Sequence, residues 1–344
     1  MLRIFRTILS RRFLSRCGQR PRTIINRKEI IMSKTCKIVV VGSFITDITG
    51  FAPRFPGDGE TVLGSAVKFG PGGKGSNQAT AASRSGGEVV MVTKIGTDML
   101  SDIARKHYTA EGMTQKYVTV TDKADTGSAF IEVSETTGEN RIIVVKGANA
   151  YITKEDVYAA EQDIAESNAV LTQLESSLDS VIALKELAEK YGKPFVLNPA
   201  PMQEVPEGLF KGIDFFTPNE TEAEFFSGVK VTSPETAEEA ADRLLALGVK
   251  NVIITLGKKG VFWTNGTEKA LVPTTDLKPV DTTGAGDAFN GGFTVAISEG
   301  RDVIDAMKFG NSVASISVTR KGSSPSMPTR EETDALYNRF YLGK

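Results

Sequence analysis

Residues 37–42, KIVVVG, are apolar without interruption from Ile38 to Val41 and close on a glycine. An apolar run that does not alternate marks a strand buried on both faces, the habit of parallel sheets. The same signature returns at 89–95, 169–174, 194–198 and 252–256. Between these runs the apolar period lengthens to that of a helix. Residues 99–112 end on a glycine, 177–192 open on Ser177 and end on Gly192, and 233–248 open on Ser233-Pro234-Glu235, which suits an N-cap, a first helical position and a first-turn acid. Strands alternating with helices of this length predict an α/β fold with a doubly wound, mostly parallel sheet flanked by helices. Two stretches break the alternation. Residues 60–69 and 127–145 alternate with period two and have no helix between strands, and the second holds the hairpin signal Thr136-Thr137-Gly138-Glu139-Asn140. They predict either a small separate sheet, whose apolar face a ligand or another subunit must cover, or an antiparallel extension of the main one.

The chain has 344 residues, 41 Lys+Arg against 42 Asp+Glu, and a formal net charge of −1. That length buries a full core in one large domain or two smaller ones. The balanced charge supplies no field for gathering nucleic acid. No uncharged apolar run approaches the roughly 20 residues of a membrane helix, so no membrane association is expected. The balance hides an asymmetric start, because residues 1–31 carry eight Arg, Lys28 and a single acid, Glu29. Leu2, Ile4, Phe5, Ile8, Leu9, Phe13 and Leu14 interleave with those arginines in the amphipathic, acid-poor style of a mitochondrial transit peptide. Met32 stands just ahead of the first strand, so the same residues also read as a disordered leader that need not be made at all. Residues 1–34 are therefore set apart as a basic leader and 35–344 as the folded domain. The expected compartment is the cytosol, with the nucleus as a further site and the mitochondrion as the alternative if the leader is read for import.

With only Cys17 and Cys36, neither a disulfide framework nor a four-cysteine zinc site is available. The single histidine, His107, lies in the charged stretch Arg105-Lys106-His107-Tyr108 and reads as part of a solvated helix face. Chemistry then falls to carboxylates, Lys, Ser/Thr and backbone amides. The stretch Gly70-Pro71-Gly72-Gly73-Lys74-Gly75-Ser76-Asn77 is not a P-loop, which would need Gly at 68 and Ser or Thr at 75 where the chain has Lys68 and Gly75. Its glycines still admit a ligand close to the backbone, and the Ala-rich run after Asn77 is a helix start. A second glycine frame, Asp281-Thr282-Thr283-Gly284-Ala285-Gly286-Asp287, opens the helical run to Gly300. Free amides at a helix start stabilise an anion. Asp287 in that first turn is an odd choice for a phosphate binder. It is a sensible one for a general base that takes a hydroxyl proton while the amides stabilise a transferring phosphoryl group. Capping is its blander role. The segments 255–260 and 217–222 follow predicted strands, where open α/β sheets bind ligands. Backbone amides of the first suit nucleotide phosphate, and Asn219 with Glu222 suit a hydrated magnesium ion.

Taken in order from residue 36 to 340, these elements resemble the ribokinase branch of the pfkB carbohydrate kinases. The resemblance rests on both glycine signatures, the Asn219–Glu222 motif, Thr255-Leu256-Gly257 and the closing Thr319-Arg320-Lys321-Gly322-Ser323-Ser324-Pro325-Ser326. It implies a ribokinase-like fold with a small β-sheet lid from about 44–69 and 127–145, pairing two copies as a homodimer. The implied reaction is phosphorylation of D-ribose at its 5-hydroxyl by ATP, giving D-ribose 5-phosphate and ADP, with Asp287 as base and Gly284, Ala285 and Gly286 as anion hole. Asp47, Gly73, Lys74, Gly75, Asn77 and Glu175, with Asp287, would contact the sugar. Asn219, Thr255, Gly257, Lys258, Gly260, Gly286 and Asn311 would contact ATP. Magnesium would be held through water by Asn219 and Glu222. Potassium would be held by the Asp281 side chain, the backbones of Thr283, Ser317, Arg320 and Gly322, and Ser326. One departure concerns the sugar. Many bacterial ribokinases read Gly-Ser-x-Asn-x-Asp where this chain reads Gly42-Ser43-Phe44-Ile45-Thr46-Asp47. Ile45 cannot make the hydrogen bond expected of Asn, a loss of about 0.5–1.5 kcal/mol. Animal members often carry an apolar residue there. A related kinase acting on deoxyribose, another sugar or a nucleoside is the alternative. A sugar or nucleotide sensor on a kinase scaffold is the other class, and keeping both Lys74 and Asp287 argues against it.

Overall fold

A computed structural model describes residues 36–344. The basic leader, and with it the transit-peptide reading, lies outside the described residues. In chain order the elements are β1 (Lys37–Val41), β2 (Ile45–Ala52), β3 (Ala66–Gly72), α1 (Lys74–Arg84), β4 (Glu88–Ile95), α2 (Ser101–Ala110), β5 (Thr114–Val120), β6 (Ser128–Ser134), β7 (Asn140–Val145), α3 (Lys154–Tyr158), α4 (Glu161–Glu166) and β8 (Ala169–Gln173). There follow α5 (Leu178–Tyr191), β9 (Phe195–Asn198), β10 (Phe215–Phe216), α6 (Glu220–Ser227), α7 (Pro234–Ala246), β11 (Val252–Thr255), β12 (Val261–Thr264), β13 (Lys269–Val272), α8 (Ala285–Ser298), α9 (Val303–Ser317) and α10 (Arg330–Tyr337). The main sheet has the order β13-β12-β11-β10-β9-β8-β1-β4-β5. It is parallel from β11 through β5, and a β11–β12–β13 antiparallel meander closes one edge.

Alternate residues of each central strand feed two cores. Val39 and Val41 pack with α3 to α7, whereas Ile38 and Val40 pack with α1, α2 and α8 to α10. This is the doubly wound arrangement, and it explains why the strands read as unbroken apolar runs. The chain leaves β1 toward β4 on one side and β8 on the other, so strand order reverses at β1, and ligands of such sheets sit beyond strand ends at that point. Two helices converge there because Gly291 lets α8 approach α1. A Cβ at Gly291 would lie 2.5 Å from the Cβ of Ala81.

The two strand-only stretches pair in a sheet of their own, ordered β3-β2-β6-β7. The hairpin at 127–145 forms as expected, with Gly138 at φ 73° in its turn. The first stretch differs. Residues 60–65 form no strand, and pairing begins where the Ser65 amide meets the Phe51 carbonyl and runs on through the glycine motif to Gly72. Pro53, Pro56, Gly57 and Gly59 turn the chain before it, and an Arg54–Glu60 ion pair closes that loop. His107 is also not on a solvated face. It is buried at 8% exposure with Nε2 2.9 Å from Thr80 Oγ1, because Ala104, His107 and Tyr108 share the core side of α2 while Arg105 and Lys106 face water. Burial lowers its pKa.

Candidate active site

Lys74 is the first residue of α1, so the glycine motif itself becomes a helix start, capped by Gly73 at φ 89°. Gly75 lies against the turn after β1, where a Cβ would sit 2.5 Å from the Ser43 amide nitrogen. Glu175, just past β8, accepts from the Lys74 amide at 2.8 Å and from Ser43 Oγ at 2.5 Å. One of its oxygens therefore ties the ends of β1 and β8 to the start of α1, a positive helix end that suits a carboxylate. Asp47 projects from β2 with Ser323 Oγ 3.4 Å away. Burial, opposed by that hydrogen bond and reinforced by Glu175 and Asp287, pushes its pKa up to about 6.

Asp287 occupies the first turn of α8 behind Gly284, which stands at φ 76° as the N-cap. Its Oδ2 accepts from Asn77 Nδ2 at 2.9 Å and its Oδ1 from Gln78 Nε2 at 3.0 Å. Burial raises its pKa against the opposing pull of Lys74 and the two amides, while Glu175 raises it further. Burial alone would lower the Lys74 ammonium, but Asp287, Glu175 and Glu222 around it raise its pKa. The result is an aimed carboxylate of increased basicity facing a cation that stays charged. The amide of Ala285 turns back to the Thr282 carbonyl at 3.2 Å, so the amides of Gly286 and Asp287 are left to face an anion at the helix start.

A cavity of about 150 Å³ joins these groups to the nucleotide side, lined by Lys74, Asn219, Glu222, Thr255, the Gly284–Gly286 turn and Asp287. Asn219 and Thr255 lie together through a β-bridge beyond β10 and β11. Asn219 and Glu222 form a capping box for α6: Asn219 Oδ1 accepts the Glu222 amide and Glu222 Oε2 the Asn219 amide, each at 2.9 Å. Burial raises the Glu222 pKa, with the Asn219 amide and Lys74 opposing. One Glu222 oxygen stays uncommitted to the cap. That donor set suits contact with a metal through water, not a closed cage, and among the described residues no group of three or more His, Cys, Asp or Glu is arranged to hold a metal ion directly.

The remaining expected residues divide. Gly257, Lys258 and Gly260 belong to a tight turn in which the amides of Leu256, Lys259 and Gly260 are already bonded, so backbone contact with phosphate falls to Gly257 and Lys258. Asn311 spends its Nδ2 on the Pro273 carbonyl and on Tyr341 Oη, which makes it an anchor for the loop after β13. Asp281 Oδ1 and Oδ2 accept the amides of Thr283 and Gly322, each at 3.0 Å. Burial would raise this carboxyl, but those amides lower its pKa, so it is ionised. The Arg320 amide bonds the Ser317 carbonyl and the Ser326 hydroxyl bonds the Ser323 carbonyl at 2.7 Å. Asp281 is thus an ionised carboxylate between the loop before α8 and the loop after α9, a donor of the kind a monovalent cation takes. Gln78 belongs to the site although neither glycine signature marks it. It stands in an Ala-rich helix start, yet it links Asp287 to Gln173 and Asn198 in a buried network.

A buried base, a lysine and a helix start aimed at one small cavity are the equipment of a phosphotransferase that acts on a hydroxyl group. The sequence profile of the pfkB family carbohydrate kinases matches residues 35–330, and the chain belongs to that family. Ribokinase of Haemophilus influenzae is 39% identical over 302 residues, covering 88% of this chain and 98% of that protein. Deoxyribokinase of Salmonella typhi is 36% identical over 296 residues, covering 86% and 96%. The structure of Arabidopsis thaliana ribokinase complexed with ribose and ATP superposes with a TM-score of 0.81 at 30% identity, covering 88% of this chain and 99% of that one.

Proposed function

We propose that the chain transfers the γ-phosphoryl group of ATP to the 5-hydroxyl of D-ribose, giving D-ribose 5-phosphate and ADP. The observation that carries this reading is Asp287, buried beneath its own helix start with Lys74 across the cavity. Asp287 takes the hydroxyl proton as the sugar oxygen bonds to the γ-phosphorus. The bond from that phosphorus to the bridging oxygen breaks, and its electron pair leaves with ADP. Lys74 and the amides of Gly286 and Asp287 stabilise the charge on the group in transit. Asp47, Gly73, Gly75, Asn77 and Glu175 hold the sugar, and Asn219, Thr255, Gly257 and Lys258 hold the nucleotide. Asn219 and Glu222 hold hydrated magnesium, which when bound neutralises phosphate charge. Asp281, the carbonyls of Thr283, Ser317, Arg320 and Gly322, and Ser326 hold potassium.

Deoxyribose is the second reading, favoured by Ile45 in place of a polar sugar contact and by the deoxyribokinase relative. ADP release measured over ribose, deoxyribose, other sugars and nucleosides should give ribose the highest kcat/KM. A preference for deoxyribose or a nucleoside would replace the substrate while keeping the chemistry. Asp287→Asn should lower kcat by about 10²–10⁴ with both substrates still bound, and near-normal turnover would remove the base assignment. Among the described residues no helix is long and apolar enough to cross a membrane. We place the enzyme in the cytosol. Fluorescent fusions beginning at Met1 and at Met32 test this, because an imported leader would send only the first to mitochondria.

A further inference from the structure

Ser324 lies in neither glycine signature, yet it reaches the centre of the site. It opens the short turn Ser324–Ser326, is 1% exposed, and donates from Oγ to Asn77 Oδ1 at 2.6 Å. Asn77 in turn donates from Nδ2 to Asp287 Oδ2. An ionised carboxylate only accepts, so the amide must show its nitrogen to Asp287 and its oxygen to Ser324. Reversed, Asn77 would set an oxygen against the base. We infer that Ser324 is a positioning residue for the general base, its hydroxyl fixing the Asn77 amide so that Asp287 stays ionised and aimed at the substrate hydroxyl.

The turn that carries Ser324 is pinned on both sides. Asp281 holds the Gly322 amide before it, and Arg84 Nη1 donates to the carbonyls of Pro325 and Met327 at 3.4 and 2.8 Å. Arg84 is itself held by Glu111 at 2.6 Å. Helix α1 thus grips the turn at its first turn through Asn77 and at its last through Arg84. A hydrogen bond donated to the amide oxygen polarises the amide and strengthens donation from its nitrogen. The other charged groups around Asp287 are Lys74 from α1, Glu175 beyond β8, Asp47 from β2 and Glu222 from α6, and all of them remain when Ser324 is changed.

The test measures kcat against pH for the full chain, Ser324→Ala, Asn77→Ala and the double variant, on the sugar that the unmutated chain turns over best. Ser324→Ala should lower kcat roughly ten- to a hundredfold, the span of losing a buried hydrogen bond. It should also move the acid limb of the profile to higher pH, because a weaker donor favours the protonated carboxyl. The double variant should be no worse than Asn77→Ala alone, since the two act as one unit. Ser324→Cys, close in size and a weak donor, should fall between and carries the same test if the alanine variant does not fold. An unmoved acid limb, or effects that multiply in the double variant, would overturn the inference. It rests on the kinase reading: an unmutated chain without turnover ends both, whereas an active chain with an unmoved limb ends this inference alone.

Discussion

Asp47 is held where its charge is opposed. Burial leads, with Glu175 and Asp287 adding to it, and the raised value of about 6 compares with 3.8 for an ordinary aspartate. A native pKa above the unfolded one means that the folded chain binds the proton more tightly between those values. Stability therefore falls as pH rises from about 4 to 6, by up to about 3 kcal/mol when the group is fully ionised. Asp47→Asn should raise the melting temperature of the ligand-free protein at pH 7.5, and the gain should vanish below pH 3.8. The same variant should raise KM for ribose, because an amide accepts sugar hydroxyls less well than a carboxylate. Equal stability of the two proteins at pH 7.5 would refute the cost assigned to Asp47. At this scale the sequence exposes residues framed by glycine, such as Lys74 and Asp287, whose neighbours leave few roles open. It conceals Gln78 and Ser324, which look like ordinary helix and turn residues. Their meaning depends on contacts across the fold; Ser324 reaches Asn77 over a separation of 247 residues.

Elements were legible in proportion to how completely they are buried. β1, β4, β8, β9 and β11 read plainly because both of their faces meet helices. β12 and β13 are four-residue antiparallel edge pieces and left no pattern to count. β3 was displaced because its strand runs into the glycine motif, and glycine carries no side chain to alternate. Asp281 works between elements, bonding the amides of Thr283 and Gly322 and so tying the loop before α8 to the loop after α9. A cation held between those loops would orient the amides at the start of α8 without touching substrate, which is a preorganising effect. Potassium should therefore raise turnover over sodium or a large organic cation at equal ionic strength with magnesium and ATP saturating. Asp281→Ala should lose that response along with activity. A variant that is less stable yet still responds to potassium would reduce Asp281 to a turn-former. Equal rates of the unmutated chain in all three salts would remove the site.

Over the whole molecule, the small sheet leaves one surface without a partner among the described residues. Ile48 is paired directly with Phe69 and Phe130, and Phe130 with Ile143, so the four side chains form one row across all four strands. Asp47, one residue earlier on β2, falls on the opposite face, toward Ser323 and Asp287. Phe69, Phe130 and Ile143 are 58%, 49% and 68% exposed, and Val67 adds to the same face. A contiguous apolar row of this kind needs cover. We propose that a second copy supplies it by pairing the same row on both protomers, an isologous contact. Ile143→Lys places a charge at the β7 end of the row in each copy, and the cost of burying it should turn a sedimenting dimer into a monomer at micromolar concentration. Because Asp47 rides on the same sheet, the monomer should show a raised KM for ribose with kcat changed much less. The unmutated chain sedimenting as a monomer would refute the pairing. A dimeric Ile143→Lys variant would move the contact to another surface. A monomeric variant with unchanged KM would separate the pairing from sugar binding, leaving the sheet to hold Asp47 in place without help from a partner.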